Sequence, residues 1–191
     1  MDNPIHHTAY VHPSAIIYPG VTVMQMAYIG PLCVIGAPPQ INGFLGKNAG
    51  VTIGIGARLE KLVTVDAGEK RTTVIGSGCM LMANAHVGHD CILEPGVVLS
   101  VGAALSGYCH IGQGAKLSLN CSVHQYQRIG AYAMLGMGAV ITKHAQVLPG
   151  TMWAGVPAKQ IGMNKVGLER SGLSEKDVHE LTLKFLSYDP K

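Results

Sequence analysis

The feature that most constrains this chain is a large apolar residue at every sixth position. The series runs from Val11 to Val65, slips by four residues, resumes at Ile75 and continues to Trp153. It fills 24 positions, and Lys47 is the one polar exception. The positions two residues earlier hold mostly Ala, Cys or Val, and residues two apart lie on the same side of a β-strand. The pattern therefore predicts one short strand and one turn in every six residues.

Three such strands close one triangular coil, so the series predicts about eight coils stacked as a parallel solenoid. Glycine often follows the large residue, as at Gly30, Gly54 and Gly76, and we interpret these glycines as corners that need a positive φ. The composition fits a narrow, repetitive core, since 48% of residues are hydrophobic, only 5% are aromatic and 25 are glycine. All five cysteines occupy the small inward positions, which favours buried thiols over a disulfide framework or a thiolate zinc site.

Two stretches interrupt the repeat. After Ile41 the pattern weakens, and we expect a looped edge there with Lys47 turned outward. Between Val65 and Ile75 the polar insertion DAGEKRTT is predicted to leave the solenoid as a loop, and loops on a rigid scaffold often carry binding groups. A solvated excursion without a role is the alternative.

The chain after the repeat predicts one helix. Residues 164–172 have the composition of a loop, and Ser174 to Asp177 form a capping box before an apolar face. We divide the chain into a β-helix domain over residues 1–162 and a C-terminal loop with a single helix over residues 163–191.

Charge and hydropathy exclude several classes of protein. The net charge is +3, and no Lys/Arg run or aromatic basic patch predicts nucleic-acid binding. No stretch of about 18 apolar residues predicts a membrane span. The N-terminal MDNPIHH lacks the basic and apolar regions of a secretory signal, so we expect a cytoplasmic protein.

The candidate site is the stretch LMANAHVGHDC, residues 81–91. His86 and His89 fall outside the inward positions and must face outward, with Asp90 beside them. An imidazole can take a hydroxyl proton near neutral pH, and a carboxylate can hold its tautomer. We therefore predict that His89 is a general base oriented by Asp90. Gly107 could offer a backbone N–H to an oxyanion, because glycine lets a substrate approach the main chain.

The hand of the coil does not follow from the period. Parallel crossovers are almost always right-handed, which favours a right-handed solenoid. The pattern of Leu, Ile or Val followed by Gly and four further residues resembles the hexapeptide-repeat acyltransferases, whose coils are left-handed. We follow the resemblance and predict an all-β fold, a left-handed parallel β-helix with a short C-terminal α-helix.

Three motifs make the resemblance more specific. NAHVGHDC, SVHQY at 122–126 and GLERSGLS at 167–174 are similar to the family that acylates UDP-N-acetylglucosamine at the start of lipid A synthesis. The resemblance implies a cytoplasmic homotrimer with sites between subunits, acyl carrier protein as donor, a UDP-amino sugar as acceptor, and no metal or free cofactor. It implies that His89 deprotonates the sugar 3-hydroxyl, which then attacks the thioester of a 3-hydroxyacyl chain.

The resemblance also implies roles for other residues. It makes Asp90 the orienting carboxylate and Gly107 the oxyanion donor. The residues implied around the acyl chain, the sugar or the nucleotide are His86, Tyr108, His124, Gln125, Met137, Asn164 and Arg170. Tyr108 replaces a family histidine. Met137 replaces a glycine of some relatives at the far end of the acyl groove, so we expect a preference for shorter acyl chains.

Three alternatives remain open at the level of the sequence. GVPAK, residues 155–159, resembles hexapeptide transferases that use acyl- or acetyl-coenzyme A on another sugar or amine. A zinc enzyme similar to γ-class carbonic anhydrases would use His86, His89 and His124 as ligands of a metal between subunits. A catalytically silent assembly module is the third.

Overall fold

The computed structural model describes residues 4–187 and forms a three-sided parallel solenoid. Its strands are short, mostly of two or three residues, and two helices follow them. The strands are β1 Tyr10–Val11, β2 Ile16–Ile17, β3 Val21–Val23, β4 Tyr28–Ile29, β5 Val34–Ala37, β6 Val51–Ile53, β7 Arg58–Leu59, β8 Thr64–Asp66, β9 Thr73–Ile75, β10 Met80–Leu81, β11 His86–Val87, β12 Ile92–Leu93, β13 Val98–Leu99, β14 Ala104–Leu105, β15 His110–Ile111, β16 Lys116–Leu117, β17 Ser122–Val123, β18 Arg128–Ile129, β19 Met134–Leu135, β20 Val140–Ile141, β21 Thr151–Gly155 and β22 Ala158–Met163. The helices are α1 Lys165–Arg170 and α2 Glu175–Ser187.

Up to β20, strands that are three apart in the chain pair with each other, so the chain passes from face to face at every turn. The first face has the order β1-β4-β7-β10-β13-β16-β19-β21-β22, the second β2-β5-β8-β11-β14-β17-β20 and the third β3-β6-β9-β12-β15-β18. All pairs are parallel except β21 with β22, an antiparallel hairpin at the end of the first face. The predicted left-handed β-helix of about eight coils is confirmed.

The register explains the six-residue period. Leu81 is opposite Leu99, and Leu93 is opposite Ile111, so one coil advances the chain by eighteen residues, three hexads. The large aliphatic residues of the middle coils are at most 2% exposed, and each contributes about 1.5–3 kcal/mol of burial. All five cysteines are buried and free, as predicted. The core is a column of aliphatic side chains that continues from coil to coil.

The first interruption of the repeat is longer than the six-residue period of the sequence indicates. Val23 is opposite Ile53, thirty positions later, so twelve residues beyond one coil leave the solenoid between β5 and β6. Because twelve is two hexads, Ile41 and Lys47 kept the numerical period without occupying core positions. Assigning Ile41 and Lys47 to the series of core positions was wrong, although Lys47 is exposed as predicted. The four-residue slip is confirmed, since Ile53 is opposite Ile75.

The glycines after the large residues have a different role from the one predicted. Among the glycines that follow a large residue, Gly36 has a positive φ, whereas Gly30, Gly54 and Gly76 do not. At Gly76 a Cβ would lie 2.6 Å from the carbonyl oxygen of Leu93 in the next coil. These glycines therefore allow close contact between coils. The positive φ falls two positions later, as at Gly56 and Gly78.

The C-terminal segment contains more structure than predicted. The capping box is confirmed, because the Ser174 amide donates to Asp177 Oδ2 at 2.7 Å and the Asp177 amide donates to Ser174 Oγ at 3.3 Å. The prediction of a single helix was wrong, since α1 lies where a loop was expected. Asn164 begins α1 by accepting a hydrogen bond from the Gly167 amide at 3.1 Å.

Helix α2 lies on the third face. The Arg128 guanidinium donates to the Phe185 carbonyl at 2.7 Å and stacks over the Phe185 ring at 4.2 Å. The division at residue 162 stays a prediction, and it falls inside β22. Over residues 4–187, neither helix is long and apolar enough to cross a membrane.

The contacts between coils predict a large loss of stability on substitution at one of two neighbouring glycines and a small loss at the other. Gly76→Ala should lower the free energy of unfolding by about 1–3 kcal/mol, because its Cβ would meet the backbone of the next coil. Gly78 has φ +64° and no atom within 4 Å of a built Cβ. Asn adopts this conformation at Asn84 and Asn120, so Gly78→Asn should cost under about 1 kcal/mol. Urea unfolding measures both, and equal losses would contradict the assignment.

Candidate active site

His89 and Asp90 form the centre of the candidate site. They follow β11 at the edge between the second and third faces. His89 Nδ1 lies 2.8 Å from Asp90 Oδ2, and the two side chains are 14% and 0% exposed. Asp90 has φ +59°, the left-handed corner conformation, which turns its carboxylate back toward the neighbouring imidazole. The predicted pair is therefore present as a hydrogen-bonded unit.

Backbone amides hold the Asp90 carboxylate. The amides of Glu69, Lys70 and Arg71 donate to its two oxygens at 2.7, 2.8 and 2.8 Å. The Arg71 guanidinium also donates to the Asp90 carbonyl at 2.9 Å. Burial raises the pKa of Asp90, but the hydrogen bonds from these amides and from His89 outweigh it, so the pKa is lowered. The carboxylate is ionised at neutral pH.

The Asp90 contact fixes the tautomer of His89. An ionised carboxylate can only accept a hydrogen bond, so Nδ1 carries the proton and Nε2 presents a lone pair. Nε2 faces the next coil at Gly107, where an added Cβ would lie 2.4 Å from it. Among residues 4–187, no acceptor takes up the Gly107 amide. A ring nitrogen with a lone pair and an amide without an acceptor therefore lie on adjacent coils, an arrangement that can serve as general base and oxyanion donor.

The predicted insertion loop contributes directly to the site. Tyr108 Oη donates to the Glu69 carboxylate. The Tyr108 ring meets the His89 ring edge-on, with 5.0 Å between centroids, and stacks on Tyr126 at 4.7 Å. Burial and the carboxylates of Glu69 and Asp90 raise the pKa of Tyr108 well above its usual value, so it remains a donor. Tyr108 therefore lies beside His89, and its part in substrate binding stays a prediction.

His86 belongs to the same edge but has its own partners. Its Nδ1 lies 2.8 Å from Thr64 Oγ1, and its Nε2 is 4.0 Å from Asp66. Burial raises the pKa of Asp66, which accepts one hydrogen bond from Gln40 at 3.3 Å. Asp66 and Glu69 were not predicted as site residues. The one signal for them was that the polar insertion follows β8 at the same edge as His89.

The remaining predicted residues lie farther from His89. His124 and Gln125 are exposed at the same edge two coils on, where His124 Nδ1 is 3.0 Å from the Gln125 carbonyl. Met137 is 75% exposed at the edge between the first and second faces. The Asn164 side chain caps α1 and donates to the Tyr132 carbonyl at 2.9 Å, and Arg170 is exposed in α1. One chain does not bring Met137, Asn164 and Arg170 to the base.

The three histidines of the zinc alternative do not come together within one chain. In the described part of the chain, Glu69, His89 and Asp90 are the one group whose donor atoms lie within 4.8 Å of one another. Both oxygens of Asp90 already accept backbone hydrogen bonds. The arrangement fits an oriented base better than a metal centre.

Comparison with known proteins agrees with the fold and the site. Residues 72–107, which contain His86, His89 and Gly107, match the family model described as bacterial transferase hexapeptide (six repeats). The fold and site therefore define a hexapeptide-repeat transferase.

The relatives identify the family. The chain is 34% identical to the acyl-(acyl-carrier-protein)–UDP-N-acetylglucosamine O-acyltransferase of Brucella ovis, over 90% of this chain and 75% of the relative. It is 30% identical to that of Bartonella henselae, over 90% and 76%. The chain belongs to this acyltransferase family. It spans 59% of the length of the Anaeromyxobacter relative, to which it is 33% identical over 78% of this chain.

A solved structure supports the same family. The UDP-N-acetylglucosamine acyltransferase from Bacteroides fragilis superposes with a TM-score of 0.74 at 26% identity, covering 98% of this chain and 86% of that one.

The Asp90 contacts predict how stability depends on pH. A carboxyl whose pKa is lowered by folding contributes stability above its ordinary value of 3.8, and this contribution is lost as the pH falls through the folded value. Asp90→Asn should lower the free energy of unfolding by about 1–3 kcal/mol at pH 7 and pH 5, and the difference should shrink by pH 3. Urea unfolding measures it, with Glu180→Gln as an exposed control. A difference that stays constant down to pH 3 would contradict an ionised Asp90.

Proposed function

We propose that this protein transfers a 3-hydroxyacyl chain from acyl carrier protein to the 3-hydroxyl of UDP-N-acetylglucosamine, with His89 as general base. The observation that carries the proposal is the buried Asp90 carboxylate 2.8 Å from His89 Nδ1, with Nε2 directed at Gly107. The Brucella and Bartonella relatives carry this activity in their names. The Bacteroides structure supports the same acceptor.

The geometry supports a simple sequence of proton transfers. His89 Nε2 removes the proton from the sugar hydroxyl as its oxygen attacks the thioester carbon. Asp90 stabilises the imidazolium that forms, and the Gly107 amide donates to the carbonyl oxygen as it becomes negative. When the tetrahedral intermediate collapses, the C–S bond breaks and the imidazolium returns its proton to the departing thiolate.

A homotrimer is part of the proposal because one chain leaves the site incomplete. Met137, Asn164 and Arg170, implied in substrate binding, lie away from the His89 edge of the same chain. A neighbouring copy that packs against this edge would form a cleft and bring its own copies of these residues toward the base. We also place the protein in the cytoplasm, where acyl carrier protein and nucleotide sugars are available.

The first test is a transfer assay with 3-hydroxyacyl carrier proteins, 3-hydroxyacyl-coenzyme A and UDP-N-acetylglucosamine. The wild type should acylate the sugar from the carrier protein, and His89→Ala should lose at least about 10²–10⁴-fold in kcat because the base is gone. His179→Ala, on exposed α2, is the matched control. Turnover with the coenzyme A thioester alone would contradict acyl carrier protein as the donor. Activity retained by His89→Ala would contradict His89 as the general base.

Met137 predicts the acyl-chain preference. Its side chain should shorten the far end of the groove, so the wild type should prefer the shorter chains of a graded series of acyl carrier proteins. Met137→Gly should shift the kcat/KM maximum by several carbons toward longer chains. Each excluded methylene costs about 1 kcal/mol of binding, or roughly a factor of five. Met26→Gly, also exposed, is a control. An unchanged profile of kcat/KM against chain length would contradict the placement of Met137 in the acyl groove.

A further inference from the structure

The insertion loop touches the catalytic pair on two sides. Its backbone amides donate to Asp90, while the Glu69 side chain accepts from Tyr108 Oη. Tyr108 in turn contacts the His89 ring edge-on at 5.0 Å. Oxygen atoms of Glu69 and Asp90 and a ring nitrogen of His89 lie within 4.8 Å of one another. Glu69 therefore brings a second carboxylate to the base, and the proton transfers described above give it no role.

We propose that Glu69 is a positioning residue for the His89 base. Its carboxylate holds the Tyr108 ring against the imidazole, and its negative charge favours the imidazolium that forms during transfer. The inference rests on the proposed function for its kinetic part, whereas the contact with His89 can be measured without turnover.

The side-chain contacts of Tyr108 support this role. Its backbone has φ +62°, the corner conformation that eight other non-glycine residues between positions 4 and 187 share, and its amide donates to the His89 carbonyl at 2.9 Å. Tyr126 stacks on one face of its ring with an interplanar angle of 9°, and Lys70 Nζ lies 5.9 Å from its centroid. The hydroxyl has Glu69 as its acceptor. Without Glu69 the Tyr108 ring keeps its stacking contact with Tyr126 but loses the hydrogen bond that holds it beside His89.

Several charged groups face the base, and Glu69 is the one whose charge can be removed with least disturbance. Asp90 is buried and holds the loop through three amides, and Asp66 is buried against His86. Lys70 and Arg71 supply the opposing positive charges, and Arg71 also donates to the Asp90 carbonyl. The titratable or charged groups around His89 are thus Asp66, Glu69, Lys70, Arg71, His86, Asp90 and Tyr108. Glu69→Gln removes one negative charge and keeps an acceptor for Tyr108.

The decisive measurement is the titration of His89 in the full-length protein, followed through its ring protons by NMR. Removing a nearby negative charge disfavours the imidazolium, so Glu69→Gln should lower the pKa of His89 by at least about 0.5 unit. In the transfer assay the acid limb of the kcat profile should move by the same amount. Glu180→Gln, on the exposed face of α2, should change neither.

A second pair of variants tests the contact itself. Tyr108→Phe should lower kcat about tenfold with little change in KM, and Glu69→Ala should lower it further because it also removes the negative charge. The double variant should be no worse than Glu69→Ala, because both single changes break the same hydrogen bond. Additive losses, or a His89 titration unchanged in Glu69→Gln, would overturn the proposal. If the wild type transfers no acyl chain but the titration shifts as expected, the proposed function fails and the positioning role stands.

Discussion

The close stacking of successive coils is the constraint on which the rest of this structure depends. In the regular coils each strand finds its hydrogen-bond partners eighteen residues away, so the corners must let the backbone of the next coil approach. At Gly76 this leaves no space for a Cβ. At Gly107, two residues after Leu105, an added Cβ would instead meet the His89 ring of the coil before. His89, the proposed general base, thus occupies the space that a side chain at position 107 would need.

The repeat was sufficient to predict a three-sided parallel solenoid, though not its hand, because every coil has to satisfy the same packing. Large residues such as Leu99 and small ones such as Cys109 alternate on the inward side, so their period reports the coil directly. His89 and Asp90 could be predicted as a pair for the same reason. Once the inward positions are assigned, the adjacent polar residues must face outward at one corner.

The sequence could not show what the insertions do. A loop whose length is a multiple of six leaves the six-residue period of the sequence unchanged. Ile41 and Lys47 were therefore assigned to the series of core positions. The partners of Asp90 are backbone amides, and no pattern of side chains identifies them. Glu69 reaches Tyr108 across 39 positions, a contact that depends on how the loop folds. These features arise from three-dimensional packing between irregular segments, where the repeat gives no information.

Holding Asp90 with backbone amides has a chemical consequence. Side-chain donors such as Lys or Arg can move or be exchanged, whereas three amides of one short loop keep their direction as long as the loop stays folded. Fixed dipoles need no reorganisation during a reaction, so they keep the carboxylate ionised and in place beside His89 at little cost. A carboxylate that is 0% exposed can remain ionised because these donors replace its water. The order of the loop and the tautomer of His89 are therefore linked, and any change that opens residues 67–72 should release the His89 tautomer without altering His89 itself.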